Sequence, residues 1–140
     1  MDDAAFDANR AFGATDRLFG VGAYARLSAA HVVVVGVGGV GSWAAEAIAR
    51  SGVGAITLID EDHVAESNVN RQIMALTSTV GQSKIEAMRA RIAQINPECI
   101  VRCVDAFVTE ENVSTLLPQT LNFVLDCIDS ARVKLALIAH

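Results

Sequence analysis

Glycine recurs at four positions in the stretch Gly36-Val37-Gly38-Gly39-Val40-Gly41, between a β-branched run and an alanine-rich one. Gly36, Gly38 and Gly41 match the dinucleotide-binding fingerprint in spacing, and the strand–turn–helix context is the one it requires. Gly36 would allow the tight turn. Gly38, with Gly39 beside it, would let the backbone approach a phosphate. Gly41 would let the following helix pack close to the strand. The start of that helix would then offer free N–H groups and about half a positive charge to an anion. Asp60 closes the next apolar run, where a carboxylate can accept hydrogen bonds from ribose hydroxyls. This set suits NAD, FAD or ATP equally, and a glycine turn that merely packs is the plainer alternative.

The stretch after Asp60 discriminates between those ligands. A triphosphate carries several negative charges, and its leaving pyrophosphate develops more during attack at the α-phosphate. Cations and a metal must hold it in line. Arg71 and Lys84 are candidates for the β- and γ-phosphates, and Asn68 can donate its amide to a phosphate oxygen. Taken singly, Arg71 reads as a solvated loop residue and Lys84 as a helix-face charge. Together with the glycine turn they point to ATP. Asp129 lies in Asp126-Cys127-Ile128-Asp129-Ser130, just beyond a fourth apolar run. In a parallel sheet that edge faces the ligand crevice. Asp129 is the candidate ligand for Mg²⁺, which takes one or two carboxylates with phosphate oxygens and water. Its alternative is a helix cap. Asp126 reads as structural.

These residues need a scaffold. Strands are predicted at 31–35, 55–59, 100–104 and 123–125. Helices are predicted at 24–30, 42–50, 83–95, 110–117 and from Ser130 towards His140. Ile85, Met88, Ile92 and Ile95 share one helical face. The alternation predicts an α/β, Rossmann-like fold: a mostly parallel sheet with helices on both faces. Residues 1–30 are expected to form an N-terminal segment with a short helix, loose before residue 12. Residues 31–140 would be the ATP-binding domain. The chain ends at His140, just after the apolar run Leu135-Ala136-Leu137-Ile138, and the expectation is a fragment, the N-terminal part of a longer adenylating domain, inactive alone.

The bulk properties agree. Just over half of the 140 residues are hydrophobic and aromatics are few, enough for one compact core. The formal net charge of −5 offers no electrostatic argument for nucleic acid. Cys99, Cys103 and Cys127 lack metal or redox spacing and read as packed thiols. Met1-Asp2-Asp3 does not open a signal peptide, and the apolar stretch 31–40 is too short for a bilayer. A cytoplasmic protein with no membrane association is expected.

From Arg17 to His140 the chain resembles the ThiF/MoeB/HesA family, relatives of the ubiquitin-activating enzymes. The resemblance rests on Arg17-Leu18-Phe19-Gly20, the glycine turn, Gly52-Val53-Gly54, Asp60-Glu61-Asp62, Asn68-Val69-Asn70-Arg71-Gln72, Val80-Gly81-Gln82-Ser83-Lys84, Asn96-Pro97 and Asp126-Cys127-Ile128-Asp129-Ser130. It implies that Gly38 and its neighbours lie against ATP and that Asp60, with Asp62, belongs to the nucleotide site. Asn68, Arg71 and Lys84 would hold phosphates, and Asp129 would hold Mg²⁺. Arg17 resembles an arginine donated to a partner's ATP site, which implies a homodimer. Gly39–Ala47, Gly54–Asp60 and Phe107-Val108-Thr109 are most similar to members that act on tRNA carrying threonylcarbamoyladenosine.

The implied reaction is adenylation of the threonyl carboxylate, followed by closure to a cyclic, dehydrated form. A carboxylate is already ionised near neutral pH and needs no general base, so His31 and His63 are not catalytic candidates. The alternatives are adenylation of a ThiS- or MoaD-like carrier C-terminus and an NAD-dependent oxidoreductase. A sulfur-transfer protein is a further implied partner.

Overall fold

The computed structural model describes residues 5–140. Four strands, β1 (His31–Val35), β2 (Ala55–Ile59), β3 (Ile100–Val104) and β4 (Phe123–Asp126), form one sheet in the order β3-β2-β1-β4. Every pairing is parallel, with His31 opposite Ala55, Val32 opposite Phe123, and Ala55 opposite Ile100. Parallel strands covered on both faces should read as unbroken apolar runs, and Val32 to Val35 are all buried. Val32 and Val34 face α4 (Gly41–Arg50) and α5 (Lys84–Ile95), where Ala45, Ala49, Ile85, Met88 and Ile92 complete the larger core. Val33 and Val35 face the other side, against Leu117 and Leu137, beside α6 (Val113–Leu116) and α7 (Ala131–Ala139). The predicted Rossmann-like sheet, with helices on both faces, is what the chain adopts.

The N-terminal reading needs correction. Residues before 12 were expected to be loose, yet α1 (Ala8–Phe12) is helical, with Asp7 accepting from the Arg10 N–H. The part of that expectation on residues 1–4 lies outside the described residues. Phe12 is buried against Tyr24, ring centroids 6.1 Å apart. It packs over Gly52, where an added methyl carbon would sit 2.9 Å from its ring. That slot is made by residues forty positions downstream, so local periodicity could not reveal it. Two further helices follow, α2 (Thr15–Phe19) and α3 (Ala23–Ser28). The helix predicted at 110–117 shrinks to α6, because Asn112 and Thr109 turn the chain with side-chain hydrogen bonds to each other's backbone.

At the edge of the sheet opposite the strand C-termini, His31 joins three segments. Its Nδ1 lies 2.8 Å from the Thr120 carbonyl oxygen and its Nε2 2.8 Å from Thr57 Oγ1. Its backbone N–H donates to Asn122 Oδ1. This is a structural histidine. Among the described residues no helix is long and apolar enough to cross a membrane.

Glu46 couples α4 to α5. It is buried, and Arg91 donates to it through Nε (2.6 Å) and Nη2 (3.1 Å), with Arg50 Nε at 2.9 Å. Burial pushes the Glu46 carboxyl up, but the bonds from Arg91 and Arg50 outweigh that and hold it below the usual range. A lowered folded-state pKa stabilises the protein above the unfolded value, about 4.3. The gain is lost as pH falls below that value and through the folded one. Glu46→Ala is therefore expected to cost about 1–3 kcal/mol in urea unfolding at pH 7. The gap to wild type should narrow on acidification below about pH 4. A gap independent of pH would show that packing, not the ion pair, is lost.

Candidate functional site

The strand order reverses beside β1. β2 and β3 lie on one side of it and β4 on the other. In open α/β sheets ligands bind at that switch point, outside the strand C-termini. A cleft of about 580 Å³ lies there, within the range of small-molecule sites.

Its floor is the glycine turn. Gly36 has φ of +88°, a conformation side chains disfavour, and a methyl there would meet Ile128 and the Cys127 carbonyl oxygen within 2.9 Å. Gly41 is more constrained, since a methyl would lie 1.7 Å from the Gly36 carbonyl oxygen and 3.1 Å from Cys127 Cβ. Gly41 therefore backs the turn rather than lining the cleft, as the close-packing role requires. Gly36, Gly38 and Gly39 do line it.

Asp60 also lines the cleft, and its carboxylate braces the turn. Oδ2 accepts from the Val37 N–H at 2.7 Å and Oδ1 from the Asp62 N–H at 2.8 Å. Asp62 is mostly exposed and its Oδ2 holds the buried Lys84 Nζ at 2.9 Å. Lys84 opens α5, so the ion pair aims a buried amine at the cleft wall. Arg71 lies across Gly39, where a methyl would touch its side-chain carbons at 3.5–3.6 Å. Its Nη1 donates to the Ser67 carbonyl and to Asn70 Oδ1. The opposite wall comes from the β4 exit, where Asp129 is exposed beside Ser130, the N-cap of α7. No hydrogen bond or ion pair engages the Asp129 side chain among the described residues. Asp126 is structural as read, accepting from the Ile128 N–H and from Lys134 Nζ.

Two expected residues stand apart. Asn68 is buried outside the cleft lining, and its Oδ1 accepts from the Ala65 N–H in the Glu66–Asn68 turn. Arg17 is exposed on α2, away from the cleft. Sequence reading had assigned no role to Trp43, Gln72 and Phe107. Trp43 Nε1–H donates to the Arg71 carbonyl at 2.9 Å, and the Ile73 N–H reaches Ser42 Oγ, so α4 clamps the 71–73 segment. Gln72 and Phe107 line the cleft. The signal for Trp43 was its position as the chain's single tryptophan inside the glycine-turn helix.

Burial pushes Cys99 and Cys103 up to about 11. Cys127, at the cleft wall, is also raised, by burial and then by Asp126. A thiol held above its usual range is a poor nucleophile at neutral pH, in keeping with a packing role.

Fold and cleft together define a Rossmann-like α/β protein built around a glycine turn at the sheet's switch point. The chain belongs to the ThiF family, whose model matches residues 13–139. It is 57% identical over 129 residues to the tRNA threonylcarbamoyladenosine dehydratase of Escherichia coli, covering 92% of this chain and 48% of that protein. The crystal structure of the E. coli tRNA N6-threonylcarbamoyladenosine dehydratase in complex with ATP superposes with a TM-score of 0.89 at 56% identity. That match covers 94% of this chain and 54% of the other. A molybdopterin-synthase adenylyltransferase of Salmonella typhimurium is 40% identical, covering 77% of this chain and 43% of that protein. The chain thus spans about half the length of the relatives it matches.

Proposed function

We propose that this chain is the nucleotide-binding part of an ATP-dependent enzyme that adenylates the threonyl carboxylate of threonylcarbamoyladenosine in tRNA. Residues 31–140 would form the N-terminal part of a longer adenylating domain. The observation that carries the reading is convergence: Arg71, Lys84 and Asp129, far apart in sequence, line one cleft over the glycine turn. The identity to the E. coli dehydratase, and that protein's complex with ATP, support the substrate and the nucleotide.

In this reading the glycine turn and the start of α4 receive the phosphates. Lys84, oriented by Asp62, and Arg71 neutralise the β- and γ-phosphates. Asp60 has lone pairs left for ribose hydroxyls. The donor set suits Mg²⁺: Asp129 offers one uncommitted carboxylate and would hold the ion together with phosphate oxygens and water. Magnesium there would neutralise charge on the departing pyrophosphate. The substrate carboxylate attacks the α-phosphorus and the bond to pyrophosphate breaks. The carbamoyl side then closes on the activated carbonyl, and the carboxylate's oxygen leaves with AMP. The cleft carries four acids, Asp60, Glu61, Asp62 and Asp129, against two cations. A triphosphate would need more positive charge than that. Arg17 of a second copy, in a homodimer, would supply it alongside the metal.

Adenylation of a small carrier protein is the second reading, favoured by the 40% identity to the adenylyltransferase. Adenylate formed on carrier rather than on modified tRNA would select it. Mg-ATP, but not NAD, is expected to bind in calorimetry. Binding of NAD alone would replace the reading with hydride transfer. Lys84→Ala should weaken ATP by about 10- to 100-fold and AMP much less, since charge-assisted hydrogen bonds to the distal phosphates are lost. Equal losses for both nucleotides would place Lys84 away from those phosphates.

A further inference from the structure

Gln72 is 5% exposed, and its Oε1 is buried with no hydrogen-bond partner. Its backbone is fully engaged. The N–H donates to the Asn68 carbonyl at 2.9 Å, and its own carbonyl accepts from the Ala75 N–H at 3.0 Å. The flanking residues are pinned to α4 by Trp43 and Ser42. The carboxamide alone is left without a role in the fold, and no hydrogen bond to another described residue engages its Nε2.

A buried, unpaired amide oxygen destabilises a protein, and an apolar side chain of similar size would serve packing better. A phosphate offers acceptors only, so the atom of this side chain that can meet one is the Nε2–H₂ donor, and an amide kept at that cost is expected where the donor has a ligand or water to meet. The carboxamide lines the cleft under the phosphate-facing turn, and a methyl on Gly38 would lie 3.8 Å from its Nε2. Three neighbouring features favour an anion at this point of the cleft, whose acids lie elsewhere along its lining: the start of α4, the N–H groups of the turn beyond Val37, and the Arg71 guanidinium.

We propose that Gln72 is a phosphate-binding residue, its Nε2–H₂ donating to an oxygen of the nucleotide's phosphate chain from beneath Gly38. A neutral donor suits the place. It adds a hydrogen bond where a buried cation beside Lys84 would carry a large desolvation cost. The inference rests on the ATP reading of the cleft and adds a donor that reading did not include.

The test is Gln72→Met and Gln72→Glu, each compared with wild type by Mg-ATP calorimetry and thermal unfolding. Gln72→Met is expected to raise the melting temperature, because the orphaned amide is gone, while weakening Mg-ATP by about 10- to 100-fold. Gln72→Glu keeps the shape and should weaken Mg-ATP further, by repulsion. A structural glutamine would behave in the opposite way, with melting lowered and affinity unmoved in whatever fraction folds. Wild-type affinity in either folded variant, or a lowered melting temperature in Gln72→Met, overturns the proposal while leaving the ATP reading standing. Failure of wild type itself to bind Mg-ATP removes both.

Discussion

Asp129→Ala is expected to lower ATP-dependent pyrophosphate release on modified tRNA by about a thousandfold, the scale set by losing a catalytic metal's charge. The variant should melt with wild type. Asp129 is exposed, makes no hydrogen bond or ion pair among the described residues, and leaves capping of α7 to Ser130. Nothing in the fold therefore depends on its carboxylate. Asp129→Asn keeps size and shape and should lose nearly as much, because charge rather than bulk would hold the cation. The assay belongs to the full-length protein, with magnesium varied. Undiminished pyrophosphate release in Asp129→Ala would mean that the metal, if one is used, is held elsewhere.

Gly41→Ala should act through the scaffold instead. The added methyl has no room: the Gly36 carbonyl oxygen lies 1.7 Å from its position. Gly36 is itself locked at positive φ between Ile128 and Cys127, so neither side of the contact can retreat cheaply. Overpacking typically costs about 1–3 kcal/mol and sometimes more, and a backbone–backbone collision belongs at the upper end. We expect a loss of about 3 kcal/mol in urea unfolding, with Mg-ATP binding undetectable. Gly39→Ala is the control. Its methyl would make ordinary contacts with the Arg71 side chain, and stability should change little. Equal stability of Gly41→Ala and wild type would show that the turn is more pliant than its geometry indicates.

These two variants mark how far the sequence was legible. The strand–glycine–helix unit could be read because each of its features is local: β-branched runs, a fixed glycine spacing, and an acid ending a strand. All four strands appeared close to where they were expected for the same reason. Asp60 shows the limit of such reading. Its position at the strand end was evident, but its bonds to the Val37 and Asp62 N–H groups depend on how the turn folds back. Asn68 was read as a phosphate donor from its motif, and it lies beside a turn that its own side chain stabilises. The α1 helix and the Phe12 slot over Gly52 were invisible, because the pairing residues lie far apart in the chain. Gln72 could be named from its motif, but an unpaired buried amide can be recognised only once its neighbours are in place.

The position of β4 has a consequence for how the molecule comes into being. The β1–α4–β2–α5–β3 segment is made of nearest-neighbour crossovers. β4 must return to the far side of β1, where His31 meets Asn122 across 91 residues of chain. Contacts between distant residues carry the largest loop-closure cost and tend to form late. The wall bearing Asp129 arrives with that strand. A growing chain thus has its glycine turn long before it has a cleft. Nucleotide, by preferring the closed form, would act as the clasp on this late-docking strand.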